Sequence, residues 1–259
     1  MAQDHPDHSL PRTAGGRLLP LGDAAWTVEF GTAIAPSLHG RVLGFARQVE
    51  ALAARGGLPA VEVVPTFRSV TIHFDPLATD GEALAARLSA LAREAQAQAV
   101  DGRHWLLPVC FDEAFSPDLP ALAAARGLTP EAVPGLLTGA CFRVYLIGFM
   151  PGFPYMGGLP EALHMPRRAT PRTRVPARSL AVAGGMCAVY PWESPGGWHL
   201  LGRTPVPLFD PAAAAPALLA AGDRVRLRAV CRDEFVELEA RVAAGGFDRH
   251  CLRGEPGRG

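Results

Sequence analysis

From Gly148 to Pro205, glycine and proline recur so densely that no helix of ordinary length fits between them. What fits is short strands: Ser179–Ala183, Met186–Tyr190 and His199–Leu201 here, then Val225–Val230 and Phe235–Arg241 further on. Many short strands with Gly/Pro turns predict a β-barrel or β-sandwich for this half of the chain. Trp105–Val109 and Phe142–Ile147 read as further strands. Two short helices lie between them, each opened by a capping residue and proline, Ser116-Pro117 and Thr129-Pro130.

The N-terminal half has a different texture. Trp26, Val28 and Phe30 alternate with polar residues, the period of a half-buried strand. A helix over about Pro36–Arg55 places Leu38, Val42, Phe45, Val49 and Leu52 on one face. Strands Val61–Val64 and Ser69–Phe74 follow, then a helix over Asp80–Gln98. This β-α-β-β-α order predicts an α+β two-layer sandwich over 17–100, followed by a mainly β domain over 101–241. Residues 1–16 and 242–259 are expected to be flexible tails.

Composition removes several function classes. All 25 basic residues are arginine and the net charge is zero, so nothing points to nucleic acid or an anionic membrane. Without lysine the chain lacks a P-loop lysine, a pyridoxal lysine and a Ser-Lys amidase base. The five cysteines are scattered, which fits free thiols in a reducing compartment. The N-terminus has no apolar signal core and no run is long enough to span a membrane; a cytoplasmic protein is expected. No metal site is expected.

Three segments carry candidate chemistry. Gly148–Gly158 reads as a loop, yet it holds Phe149, Met150, Phe153, Tyr155 and Met156. Such a loop, stiffened by Pro151 and Pro154, forms a pocket wall or partner interface, or folds back over its own core. Pro166–Arg178 contains five arginines, Arg168, Arg172 and Arg174 among them, and no acid. Guanidinium forks match carboxylate and phosphate oxygens, so an anion site is one reading; a solvated loop, or salt bridges to acids such as Asp210 or Glu193, is the other. In Tyr190–Pro205, the Ser-Pro-Gly-Gly turn at Gly196-Gly197 offers backbone N–H groups to an oxyanion. Glu193 is a candidate general base, or an arginine's partner. His199 is a candidate for proton transfer, and Arg203 lies nearby.

Together, the runs Arg143–Tyr155, Pro166–Pro176, Ser194–Trp198 and Gly202–Pro205 resemble the family of 5-oxoprolinase B subunits. That family is also described as allophanate hydrolase subunit 1 and as the Kip-I-type inhibitor of a sporulation histidine kinase. The resemblance implies a cyclophilin-like barrel as the second domain. It also implies ATP- and Mg²⁺-dependent opening of 5-oxoproline to glutamate, with the A and C subunits as partners. Arg143 joins the anion-binding candidates on this basis. A histidine-kinase inhibitor and a component of a urea or allophanate pathway are the alternative roles. Arg178 departs from the pattern, in which a small residue is more usual, and position 199 looks variable.

Overall fold

The computed structural model describes residues 16–97, 102–245 and 247–254; the expected tail residues 1–15 and 255–259 lie outside these. The chain divides after residue 100 into two compact units. In the first, β1 (Arg17–Pro20), β2 (Ala25–Glu29), α1 (Pro36–Ala54), β3 (Glu62–Pro65), β4 (Ser69–His73) and α2 (Gly81–Glu94) follow one another. The strands form an antiparallel sheet in the order β1-β2-β4-β3. Val28, Val70 and Ile72 share one core with Val42, Phe45 and Val49 of α1 and with Leu84 and Leu88 of α2. Asp80 caps α2 by accepting from the N–H groups of Glu82 and Ala83. At its other end, Arg41 of α1 donates to the carbonyls of Ala92 and Ala95, both at 2.9 Å.

The second unit contains β5 (His104–Cys110), α3 (Leu119–Ala125), α4 (Ala132–Gly139), β6 (Cys141–Ile147) and β7 (Pro154–Gly157). Next come β8 (Arg172–Val175), β9 (Ser179–Ala183), β10 (Met186–Val189), β11 (Ser194–Gly196), β12 (His199–Arg203), β13 (Arg224–Val230) and α5 (Arg232–Ala243). Seven of these strands close into a barrel in the order β10-β7-β6-β13-β5-β12-β9. Leu107, Val109, Phe142, Val144, Leu180, Val182, Val189, Leu201, Val225 and Leu227 are among the residues of its core. No helix of the described residues is long and apolar enough to cross a membrane.

Strand β9 shows how the barrel carries a second layer. Its five residues Ser-Leu-Ala-Val-Ala are all buried. Leu180 and Val182 belong to the barrel core, whereas Ala181 and Ala183 belong to an outer cluster with Phe153, Val175, Ala188, Tyr190, Trp198 and Leu200. The large residues thus point in and the small ones out. Bare alanines let another segment lie close against the wall. That segment is an antiparallel ribbon of β8 and β11, in which Arg172 pairs with Gly196 and Val175 with Ser194. Phe153 anchors it, with its ring centroid 5.1 Å from Tyr190 and 6.0 Å from Trp198, both edge-on.

Several expectations change. Phe235–Arg241 is not a strand but part of helix α5. Its Glu, Leu, Ala and Arg content favours a helix, with Asp233 and Glu234 in the first turn and Arg241 in the last suiting the helix dipole. Pro154–Gly157 is not loop but strand β7, where proline is tolerated as the first residue. The two short helices begin later than Ser116-Pro117 and Thr129-Pro130, with Asp118 and Glu131 at the N-cap positions. The described residues 242–245 and 247–254 are not a free tail. Leu252 is 8% exposed within the barrel core, Arg253 bridges to Trp105, and the Gly254 N–H donates to the His104 carbonyl at 2.9 Å.

If the C-terminal segment is structural, Leu252→Ala should destabilise the second unit by about 2 kcal/mol, the low end for truncating a buried leucine. Leu77→Ala, at a position 97% exposed, should stay within about 0.5 kcal/mol. Urea midpoints would check this, and equal midpoints for the two variants would return residues 247–254 to the status of a tail.

Candidate functional site

Asp118, at the N-terminus of α3, is 5% exposed. Its carboxylate does not cap the helix. One oxygen instead accepts from Arg168 Nη1 at 2.9 Å and from Arg172 Nη2 at 2.6 Å. The other accepts from the Leu200 N–H of β12 at 2.7 Å, while the Asp118 N–H returns a bond to the Leu200 carbonyl at 3.2 Å. Burial alone would raise the Asp118 pKa. The hydrogen bonds from Arg172 and Leu200 and the charges of Arg172 and Arg168 outweigh it, so the net shift is downward from 3.8.

Three further contacts fasten the arginine segment to the same strand region. The Arg168 N–H donates to the Gly197 carbonyl at 2.8 Å, and His199 Nε2 lies 2.9 Å from the Pro166 carbonyl. Gly196 pairs with Arg172. A Cβ on Gly196 would lie 2.4 Å from the Tyr190 hydroxyl, so only glycine lets the ribbon close over that ring. Gly197 meets no such limit.

This scaffold opens a cleft of about 300 Å³ lined by Ala114, Phe115, Pro117, Arg172, Arg174, Pro176, Ser179, Leu200 and Arg203. Arg172 keeps one buried nitrogen, Nη1, without a hydrogen-bond partner. Arg203 donates from Nε to the Ala177 carbonyl at 3.0 Å, and its guanidinium lies 5.6 Å from the centre of the Phe115 ring. Burial, then the neighbouring Arg178 charge, lowers the Arg203 pKa, opposed by Glu239. A guanidinium so shifted stays protonated at neutral pH. The cleft therefore presents fixed positive charge beside an apolar ring, which suits an oxyanion attached to a small organic body.

The expected site residues divide accordingly. Arg172, Arg174 and Arg203 line the cleft, while Arg168 secures its wall. Glu193 is bound to Arg174 Nε at 2.7 Å in an exposed pair, so the reading as an arginine's partner describes it. His199 has its Nε2 on Pro166 and holds the segment in place. Arg143 belongs elsewhere. It pairs with Arg224, which pairs with His104 at the start of β5, whereas Arg203 pairs with Cys110 at its end. Six residue steps separate these points, about 20 Å along a strand. The aromatic loop folds largely onto its own core: Phe153 is buried and Tyr155 partly so. Phe149 and Pro151 remain exposed, Phe149 at 66% and with φ of 68°.

Sequence reasoning misses Asp118, Phe115 and Ser179. It also misses the support from α5, whose Phe235 ring lies 4.5 Å from Phe115 and whose Glu239 pairs with Arg178. Arg178 itself adopts φ of 68°, a conformation that favours glycine.

Replacing Asp118 by Ala should cost about 3 kcal/mol, the low end for breaking a buried ion pair, since both guanidinium groups reach solvent. Because its folded pKa lies below the ordinary value, the stabilisation from Asp118 is complete above about pH 4 and is lost as pH falls through the lowered value. Acid titration of stability should therefore lose this component in Asp118→Asn. An unchanged profile below pH 4 would show that the carboxylate does not hold the segment.

The chain has counterparts among known proteins. The model of the carboxyltransferase domain, subdomain C and D, matches residues 16–219. The B subunit of 5-oxoprolinase from Bacillus subtilis (strain 168) is 34% identical over 229 residues, covering 83% of this chain and 93% of the relative. That of Haemophilus influenzae is 38% identical over 209 residues, covering 81% and 95%. In fold alone, the K. lactis urea amidolyase overlays with a TM-score of 0.77 at 22% identity, over 93% of this chain and 17% of that one. Matched over most of its length by such relatives and by that domain, this chain belongs to the 5-oxoprolinase B-subunit family of carboxyltransferase-domain proteins.

Proposed function

We propose that this chain is the B subunit of an ATP-dependent 5-oxoprolinase that opens 5-oxo-L-proline to L-glutamate with the A and C subunits as partners in the cytoplasm. The observation that carries this reading is the convergence of Arg172, Arg174 and Arg203 on one cleft whose nearest buried acid, Asp118, serves to hold Arg172. The substrate is a small lactam bearing a carboxylate. Its carboxylate fits the guanidinium forks of Arg172 and Arg203, and its ring methylenes fit against Phe115. A lactam is a stable amide. Phosphorylating its carbonyl oxygen with ATP creates a leaving group, and this transfer develops negative charge that fixed arginines stabilise.

Among the described residues no three His, Cys, Asp or Glu side chains cluster to hold a metal, so no step is assigned to Mg²⁺ on this chain. In this reading the cleft is one part of a composite site, and a partner subunit supplies the acid–base groups. The exposed Phe149 marks the docking surface. Gly152 in the same turn packs on Phe209, which lies 6.1 Å from the exposed Trp192 ring. The finer fold reading, a two-layer sandwich joined to a cyclophilin-like barrel, belongs to the same proposal. It is supported by the two helices on one antiparallel sheet and by the closed seven-strand barrel.

Reconstituted with the A and C subunits, ATP, Mg²⁺ and 5-oxoproline, the Arg203→Ala chain should lose roughly 100-fold in glutamate formation, the usual effect of removing one charge-stabilising donor. Its circular dichroism and assembly with the partners should be unchanged. Wild-type turnover in Arg203→Ala would remove the site, and unchanged turnover without this chain would remove the function.

A further inference from the structure

The arginine excluded from the first cleft stands in a second basic group at the other end of the barrel. Strands β6, β13 and β5 are adjacent there. Arg224 pairs with Arg143 on one side and with His104 on the other; Arg226 pairs with Cys141 and with Leu106. Along β13, Arg224 and Arg226 are exposed while Val225 and Leu227 are buried, so these residues form two rows on the outer wall. Cys141 and Leu106 are likewise exposed. Between them lies a cleft of about 190 Å³ lined by His104, Leu106, Cys141, Arg224 and Arg226, and bounded by Gly254 of the C-terminal segment.

Two like charges directly opposite on neighbouring strands repel, with Cβ atoms roughly 5 Å apart. Arg143 and Arg224 are such a pair, and Arg143 is partly buried. Among the described residues, the acids Asp223 and Glu234 are engaged elsewhere. Asp223 accepts from Arg103 Nη2 at 3.0 Å, Trp105 Nε1 at 2.8 Å and the N–H groups of Arg103 and Ala220, both at 2.9 Å. Glu234 is bound to Arg228 at 2.7 Å. Among the described residues no carboxylate lies within ion-pair distance of Arg143, Arg224 or Arg226. The burial of Arg143 and the charge of Arg224 both lower the Arg143 pKa, the mark of an uncompensated cation.

We propose that this second cleft binds a phosphoryl group, held by Arg224 and Arg226 with Arg143 supplying the third positive charge. A phosphate dianion relieves the repulsion between three guanidinium groups better than a single carboxylate, and it matches their planar donor forks. Free phosphate and the terminal phosphate of a nucleotide share this chemistry. The site is separate from the Arg172–Arg203 cleft and does not depend on the reading of that cleft.

Cys141 provides a built-in reporter, because its exposed thiol lies in register with Arg226. Iodoacetamide alkylation of the folded chain, followed by mass spectrometry at the Cys141 peptide, would be compared with the exposed Cys231 as control. Inorganic phosphate at about four times its Kd should slow Cys141 roughly fivefold, the factor 1 + [L]/Kd, and leave Cys231 unchanged. An ADP arm asks whether the group is taken free or as an ester: stronger protection by ADP identifies a nucleotide, and weaker protection identifies phosphate itself. Arg224→Gln with Arg226→Gln should abolish the protection, whereas Arg203→Ala should retain it. Equal protection by glutamate or by chloride at matched ionic strength would overturn the proposal, as would protection that survives in the double variant. The ionic-strength comparison uses the wild-type chain and so holds even if the double variant fails to fold.

Discussion

One buried carboxylate fixes the geometry on which the candidate site depends. Asp118 joins three stretches distant in sequence: the start of α3, the arginine segment through Arg168 and Arg172, and β12 through the Leu200 N–H. A segment with five arginines in thirteen residues would otherwise repel itself and remain solvated. Pairing two of the five with one buried carboxylate halves the excess charge of that pair and ties the segment to the barrel ahead of and at the start of β8. The same bond leaves Arg172 Nη1 without a partner beside the cleft. Arg172 thus both holds the protein together, through Nη2 on Asp118, and lines the cleft.

The barrel supplies the platform. Its wall at β9 alternates large residues inward with alanine outward, and the β8–β11 ribbon lies on the alanines. The Phe153, Tyr190 and Trp198 rings join ribbon to wall, so most of the aromatic loop serves packing. Phe149 departs from this, being exposed in a conformation unfavourable for a side chain. Helix α5 braces the far side of the cleft through Phe235 against Phe115 and Glu239 against Arg178.

Much of this was legible in the sequence. Alternation located most strands, because one face of each meets a core; the Gly/Pro density marked the region that cannot be helical. Arg172, Arg174 and Arg203 were among the anion-binding candidates, but their place in one cleft comes from the fold. What escaped was tertiary. Asp118 lies fifty residues before Arg168 and resembles any residue near a helix start; only folding brings them together. Residues 235–241 read as a strand because their hydrophobic spacing is ambiguous over so short a window, although the charges at the ends favour a helix. Arg143 sits within a family motif yet at the opposite end of the barrel, since a strand carries successive residues away from a site at about 3.3 Å each.

Asp118 orders the arginine segment into the wall of the cleft. Hydrogen exchange of Asp118→Asn tests it most directly, read at the Leu200 N–H and across Arg168–Val175. Protection should fall there while the β5–β13 pairing keeps its protection. Unchanged protection across Arg168–Val175 would contradict it and leave the ribbon held by its aromatic anchor alone.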